Sequence, residues 1–345
     1  GITLTPDTVG QSTTGVNAVI GALTSTDADG GDTHTYSLVS GTGDTDNGSF
    51  NIDGSNLRTN SALTPGSYSV RINTNDGTDD FAEAISVTIT DDVAPSGYSV
   101  TIDQSPINAG NDNAVSFTFA SAEVGATYNY TFTSSGGAGS VSNSGVIATA
   151  TDQISGIDIS GLPDGTITLS VTLTDTNANT GSAATDTETK DATAPTGYSV
   201  TIDQSPINAG NDNAVSFTFA GAEVGATYNY TFTSSGGAGS VSNSGVIATA
   251  TDQITGIDIS GLPDGTITLS VTLTDTNGNT GSAATDTENK DAAAPTGYSV
   301  TIDQSPINAG NDDAVSFTFA GAEVGAGYSY TFTSSGGAGS VSSTG

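Results

Sequence analysis

The chain has 345 residues, 37 of them acidic and only four Lys or Arg, for a formal net charge of −33, and it lacks Cys, Met and Trp. Arg58, Arg71, Lys190 and Lys290 cannot build the basic patch that phosphate neutralisation needs, which excludes nucleic acid and attraction to an anionic membrane surface. No apolar run approaches the roughly 18–20 residues of a membrane span, so direct membrane insertion is excluded too.

So few cations leave most carboxylates without an ion-pair partner, and like charges repel across a screening length of roughly 8–10 Å. Divalent cations or high external salt could neutralise them, and both point outside the cytoplasm. Disulfide stapling is ruled out by the absence of Cys, so bound cations, Ca2+ above all, are the expected substitute. Without a signal peptide or an initiator Met, the chain reads as a processed or excised piece.

Residues 1–94 form the first expected domain. Short alternating runs such as Tyr68-Ser69-Val70-Arg71-Ile72 and Ile85-Ser86-Val87-Thr88-Ile89 predict strands, and no stretch has helical periodicity. Thr26-Asp27-Ala28-Asp29-Gly30-Gly31-Asp32 precedes Tyr36-Ser37-Leu38. Gly48-Ser49-Phe50-Asn51-Ile52 and Leu57-Arg58-Thr59 follow, then Tyr68-Ser69-Val70 with Asn75-Asp76-Gly77, and finally Val87-Thr88-Ile89-Thr90-Asp91. In this order the residues resemble a cadherin-like domain, which implies a β-sandwich with acidic residues at its poles. The fuller acidic linker of that family, with an Asn between acidic residues, is missing.

A stiff joint then recurs every 100 residues: Asp91-Asp92-Val93-Ala94-Pro95, Asp191-Ala192-Thr193-Ala194-Pro195 and Asp291-Ala292-Ala293-Ala294-Pro295. Proline fixes its own φ and holds the preceding residue extended. Residues 95–194 and 195–294 are repeats that differ at six positions, 96, 121, 155, 178, 189 and 193. In the first copy, Val115, Phe117 and Phe119 alternate with small residues, as do Tyr128, Tyr130 and Phe132, and Ile167, Leu169, Val171 and Leu173. Period-two alternation of this kind puts one face in a core and the other in water. Gly136-Gly137 and Leu162-Pro163-Asp164-Gly165 are turns. About seven strands result, with no room for a helix.

The Ala-Pro joint, Leu162-Pro163-Asp164-Gly165, and the run from Val171 to Thr180 resemble the immunoglobulin-like repeats of giant bacterial surface adhesins of the RTX and biofilm type. The expected fold class is therefore all-β, tandem β-sandwiches: one cadherin-like, then Ig-like repeats. Residues 295–345 supply only the first half of a third repeat. Either the natural chain continues, or a strand of another subunit completes the fold, with the first reading favoured.

Alternate loops of such a sandwich cluster at opposite poles. Asp103, Asp112 and Asp164, with Asn108 and Asn111, are expected at the trailing pole, where the chain leaves. Glu123, Asp175, Asn177 and Asn179 are expected at the leading pole. The second copy repeats these as Asp203, Asp212, Asp264, Glu223, Asp275, Asn277 and Asn279. With Asp191 and Asp291 in the joints, they offer the carboxylate and amide oxygens a hard cation takes, six to eight at roughly 2.3–2.6 Å. In the first domain, Asp27, Asp29, Asp32 and Asp76 are expected at the leading pole, and Asp91 and Asp92 at the trailing one. The alternative is plain turn chemistry on a solvated acidic surface. Asp175, Asn177 and Asn179 have part of an EF-hand spacing but lack its Gly and closing Glu.

Catalysis finds little support: with no Cys and His34 as the only histidine, a nucleophile–base triad is nearly impossible to assemble in the repeats, and carboxylate pairs, which serve glycoside cleavage in other proteins, have no deep pocket suggested for them here. His34 reads as a surface residue, and Tyr128, Tyr130 and Phe132 as core or sheet face. Asn47, Asn129 and Asn229 match the short N-glycosylation pattern. Direct ligand or ice binding by the Thr-rich sheet faces is disfavoured, because they lack the regular Thr spacing that a flat lattice-matching surface needs.

The expected role is an extracellular, cell-surface stalk segment that multiplies length, at about 40 Å per domain. Its partners are neighbouring domains of the same longer chain, with calcium stiffening the joints. The rival is a self-assembling filament or sheath of strand-donating or laterally associating identical subunits.

Overall fold

Alternation along the chain becomes paired sheets in space. The computed structural model describes residues 1–27 and 31–345. Its strands in the first sandwich are β1 (Ile2–Thr5), β2 (Thr8–Gly10), β3 (Val19–Ser25), β4 (Thr35–Leu38), β5 (Phe50–Asp53), β6 (Asn56–Thr59), β7 (Gly66–Asn75) and β8 (Asp80–Thr90). They order as β1-β3-β6-β5 in one sheet and β2-β8-β7-β4 in the other, with β2 running parallel to β8. Every second residue of β7 turns inward, so Val70 and Ile72 join Leu23, Phe50, Leu57 and Val87 in one core.

The next sandwich consists of β9 (Ser99–Ile102), β10 (Val115–Ala120), β11 (Thr127–Ser134), β12 (Ser140–Val146), β13 (Gln153–Ile157), β14 (Gly165–Thr174) and β15 (Ala184–Lys190). The sheets are β13-β10-β9 and β12-β11-β14-β15. Phe117, Phe119, Phe132, Ile167, Leu169 and Val171 fill the space between them. Tyr130 meets Phe117 edge to face at 5.4 Å, the favoured geometry for two ring quadrupoles. The seven strands and the missing helix match expectation; among the described residues, only two single 3-10 turns break the all-β pattern.

Nearly the same strands recur as β16 (Ser199–Ile202), β17 (Val215–Ala220), β18 (Thr227–Ser234), β19 (Gly237–Val246), β20 (Gln253–Ile257), β21 (Gly265–Thr274) and β22 (Ala284–Lys290). Their core repeats the first at positions shifted by 100, from Val200 to Leu273. Last come β23 (Ser299–Ile302), β24 (Phe317–Ala320), β25 (Ser329–Thr333) and β26 (Ser340–Thr344), paired β23-β24 and β25-β26. The chain divides into two compact units, Gly1–Thr193 and Ala194–Gly345.

Cross-strand register aligns hydroxyl residues in rows on the outer face of the four-stranded sheet: Ser142–Thr131–Ser170–Thr185 and Ser140–Thr133–Thr168–Thr187. Spacing along the chain hides these rows, because they are built by pairing between strands far apart in sequence.

Candidate functional site

The joint after β8 is held by hydrogen bonds within the first unit. Asp91 Oδ2 accepts from Asn177 Nδ2 at 2.9 Å, and the Asp91 carbonyl accepts from Asn179 Nδ2 at 3.1 Å. Asn177 and Asn179 are themselves aimed by Asp175. Its Oδ1 takes both their backbone N–H groups at 2.8 Å, and its Oδ2 takes Asn179 Nδ2 at 2.8 Å. These bonds, the Asn179 side chain first, hold the Asp175 carboxyl below its ordinary value. The loop after β14 thereby grips the end of the preceding domain.

Asp92 turns the other way, into its own sandwich. Its carboxylate takes the hydroxyl and the N–H of Ser12, which together lower its pKa. Gly10 is what allows that approach, since a Cβ there would sit 2.0 Å from Asp92 Oδ2. On the far side of the joint, Gly181 plays the same part: its Cβ would lie 2.1 Å from the Pro95 carbonyl. Tyr98 fastens the opening strand, donating to Ser182 O at 2.6 Å and accepting from Leu173 N–H at 3.1 Å.

At the trailing pole, sequence reasoning missed the main actor. Lys190 is only 3% exposed. Its Nζ donates to Leu162 O at 2.7 Å and lies 3.4 Å from Asp112 Oδ2 and 3.6 Å from Asp164 Oδ1. In the second copy, Lys290 Nζ reaches Leu262 O, Ile259 O, Ser260 O and, at 3.2 Å, Asp212 Oδ2. The protein's own ammonium thus sits among the oxygens at this pole. One signal was available: two of the chain's four cations stand at equivalent positions, each just before a joint.

Asp164 also pins the joint that follows. Its two oxygens accept Ala192 N–H at 2.9 Å and Thr193 Oγ1 at 2.6 Å. Burial would raise this carboxyl, but those bonds and the Lys190 ammonium keep it below its ordinary value. Asp264 accepts Ala292 N–H at 2.8 Å. Asp191 and Asp291 accept the N–H two residues on, from Thr193 and Ala293.

The other candidates are placed as follows. Asp103 lies on the outer face of the three-stranded sheet, where it accepts from Ser116, Thr118 and Gln153; Asp203 does the same with Ser216, Thr218 and Gln253. Asp275 is bonded by Asn277 and Asn279 as Asp175 is by its own pair. Glu223 opens a turn closed by Ala226 N–H. At the leading pole of the first sandwich, Asp27 pairs with His34 at 3.0 Å, and Asp76 Oδ1 accepts from Thr78 and Asp79. A shallow cavity of about 290 Å³ lies there, lined in part by Asp27, His34, Thr74, Asp76 and Asp80. Asp32 is exposed, and Asp29 lies outside the described residues. Among the described residues, no three or more His, Cys, Asp or Glu side chains converge as a metal-holding group. Nor is any helix long and apolar enough to cross a membrane.

No protein-family model and no curated protein matches the chain. Among solved structures it is similar to a tetra-tandem repeat in the extending region of a large adhesion protein, at 22% identity and TM-score 0.31, covering 98% of this chain and 87% of that one. It is also similar to a 1.5-MDa bacterial ice-binding adhesin studied for host cell surface retention, at 18% identity and TM-score 0.38, covering 85% and 98%. A two-domain fibronectin type-III segment of chicken tenascin matches at 10% identity and TM-score 0.25, covering 57% and 99%. None of these three TM-scores reaches 0.5.

Proposed function

We propose that this chain is a spacer segment of a large secreted, repetitive cell-surface adhesin, supporting adhesion or biofilm formation, with joints that calcium stiffens. The observation that carries this reading is the grip of Asn177 and Asn179 on Asp91. The loop after β14 is spent on holding the neighbouring domain, as a stalk requires and a binding pocket does not. Near-identical copies with separate closed cores multiply length and create no private site in either. A stalk works outside the cell, where a net charge of −33 keeps it soluble. No catalytic role is assigned.

Donor chemistry supports the calcium part. Asp91 and Asp175 supply carboxylates, and Asn177 and Asn179 supply amide oxygens, all hard donors drawn to one joint. When bound, calcium would add a charge-neutralising crosslink across the joint. Asp27, Asp32 and Asp76 form a second candidate set. Asp112, Asp164 and Asp212 already have a lysine as their cation, so we leave them out of the ligand set. Small-angle scattering of the chain and of an Asp91→Asn/Asp175→Asn variant, each in millimolar calcium and in chelator, tests the idea. Calcium should change the maximum dimension and raise the melting temperature of the parent only; identical curves in both buffers would end the calcium reading.

A further inference from the structure

Each sheet edge is a row of unpaired backbone groups, and edges are normally blunted by charge, proline or a bulge. Three of the four edges in the first repeat are protected. The β15 edge carries Asp186 and Glu188. On β9, the Ile102 N–H is taken by Asp186 Oδ2 at 2.7 Å. The β13 edge is broken by a register shift and by Gly156 at φ 72°, and Asp152 and Asp158 flank it.

The fourth edge, β12, has none of these protections. It reads Ser140-Val141-Ser142-Asn143-Ser144-Gly145-Val146, and no charged residue occurs anywhere between Glu123 and Asp152. Ile147 N–H donates to Ala126 O on the neighbouring segment. Strand alternation then turns the backbone of 141, 143 and 145 towards β11, and that of 140, 142, 144 and 146 outward. One outward donor is covered locally, Ser144 N–H by Asn143 Oδ1 at 2.8 Å. The remainder face solvent at the sheet's edge, beside the uncharged hydroxyl rows. The second copy repeats these residues as Ser240–Val246 of β19, past the register shift at Ser234, and Val146 and Val246 are 62% and 63% exposed.

We infer that the β12 edge, like β19, pairs antiparallel with the same edge of a second copy of this chain. This does not rest on the stalk reading. Charge selects the occupant: a chain this acidic repels its own copies everywhere except along a stretch without carboxylates. Register also fits. A two-fold axis at Asn143 sets Asn143 against its own copy, Ser142 against Ser144, Ser140 against Val146, and Val141 against Gly145, which offers no clash. The outward residues 140, 142, 144 and 146 then fall in hydrogen-bonded pairs, and Asn143 falls in a close, non-hydrogen-bonded pair.

That geometry gives a direct test on the full chain, which has no native cysteine. Two Cα atoms about 4.5 Å apart can be bridged by a disulfide, so Asn143→Cys and Asn243→Cys should each form covalent dimers under mild oxidation. The yield should exceed that of Thr187→Cys, exposed on the protected edge, by at least about tenfold. Adding Ser142→Pro removes an outward donor without touching the β11 ladder and should abolish the excess; if that variant does not fold, Ser142→Glu serves the same purpose. In sedimentation, the parent chain should self-associate more as salt rises from about 20 mM to about 500 mM, since screening relieves repulsion. A parent that is monomeric at every salt, an Asn143→Cys yield no greater than that of Thr187→Cys, or a dimer indifferent to Ser142→Pro and Ser142→Glu would each overturn the inference.

Discussion

Replacing Lys190 by Met should cost the first repeat more stability than any surface change of similar size. The methylene stem is kept, so the loss falls on the ammonium. Asp112, 7% exposed, would be left as a buried carboxylate without its cation, and Leu162 O without its 2.7 Å donor. Breaking a buried pair from one side costs about 3–5 kcal/mol. With a urea m-value of about 1.5 kcal/mol/M for a domain of this size, the midpoint should fall by roughly 2–3 M. The assay is urea unfolding of the full chain followed by tyrosine fluorescence, which is free of tryptophan background. The second repeat is an internal standard, because its equivalent pair of Lys290 and Asp212 is intact. The transitions of the two repeats should separate in Lys190→Met and rejoin, at the lower midpoint, in Lys190→Met/Lys290→Met. Lys190→Met/Asp112→Leu should recover most of the loss, since no lone charge stays buried. A Lys190→Met midpoint within about 0.3 M of the second repeat would refute the claim that this ammonium neutralises the pole.

Three further outcomes are expected. Gly181→Ala should destabilise the first repeat by about 1–3 kcal/mol in the same unfolding assay, because the new methyl meets the Pro95 carbonyl. Asn179→Ala should loosen the joint, giving faster amide exchange across 91–94 at a stability cost of about 0.5–1.5 kcal/mol. The carboxyls of Asp92, Asp103, Asp164 and Asp175 are all held below the ordinary aspartate range in the fold. A depressed folded-state pKa contributes stability that is complete above the unfolded value and lost as pH falls through the folded one. Melting temperature should therefore drop below about pH 4, and Asp103→Asn should flatten that drop.

The strands were legible because their cause is local. Val115, Phe117 and Phe119 alternate with small polar residues, and alternation alone assigns one face to a core. The joints were legible too, since proline acts on its own φ and on the residue before it. Asp175 and its two asparagines were singled out as oxygen donors near a joint, but not as hydrogen-bond donors gripping Asp91. An amide serves either role, and which one it takes depends on what the neighbouring domain presents.

What the sequence by itself determined is thus the period of 100 residues, the all-β layering, the stiff joints and an excess of carboxylate that must be met by something positive. The tertiary structure alone decided which carboxylates meet what. Lys190 reaches Asp112 because the end of β15 bridges to Ile107, a residue 83 positions earlier. The bare β12 edge likewise exists only once the other strands have found their partners. Both depend on pairing between distant segments, which composition and local periodicity do not encode.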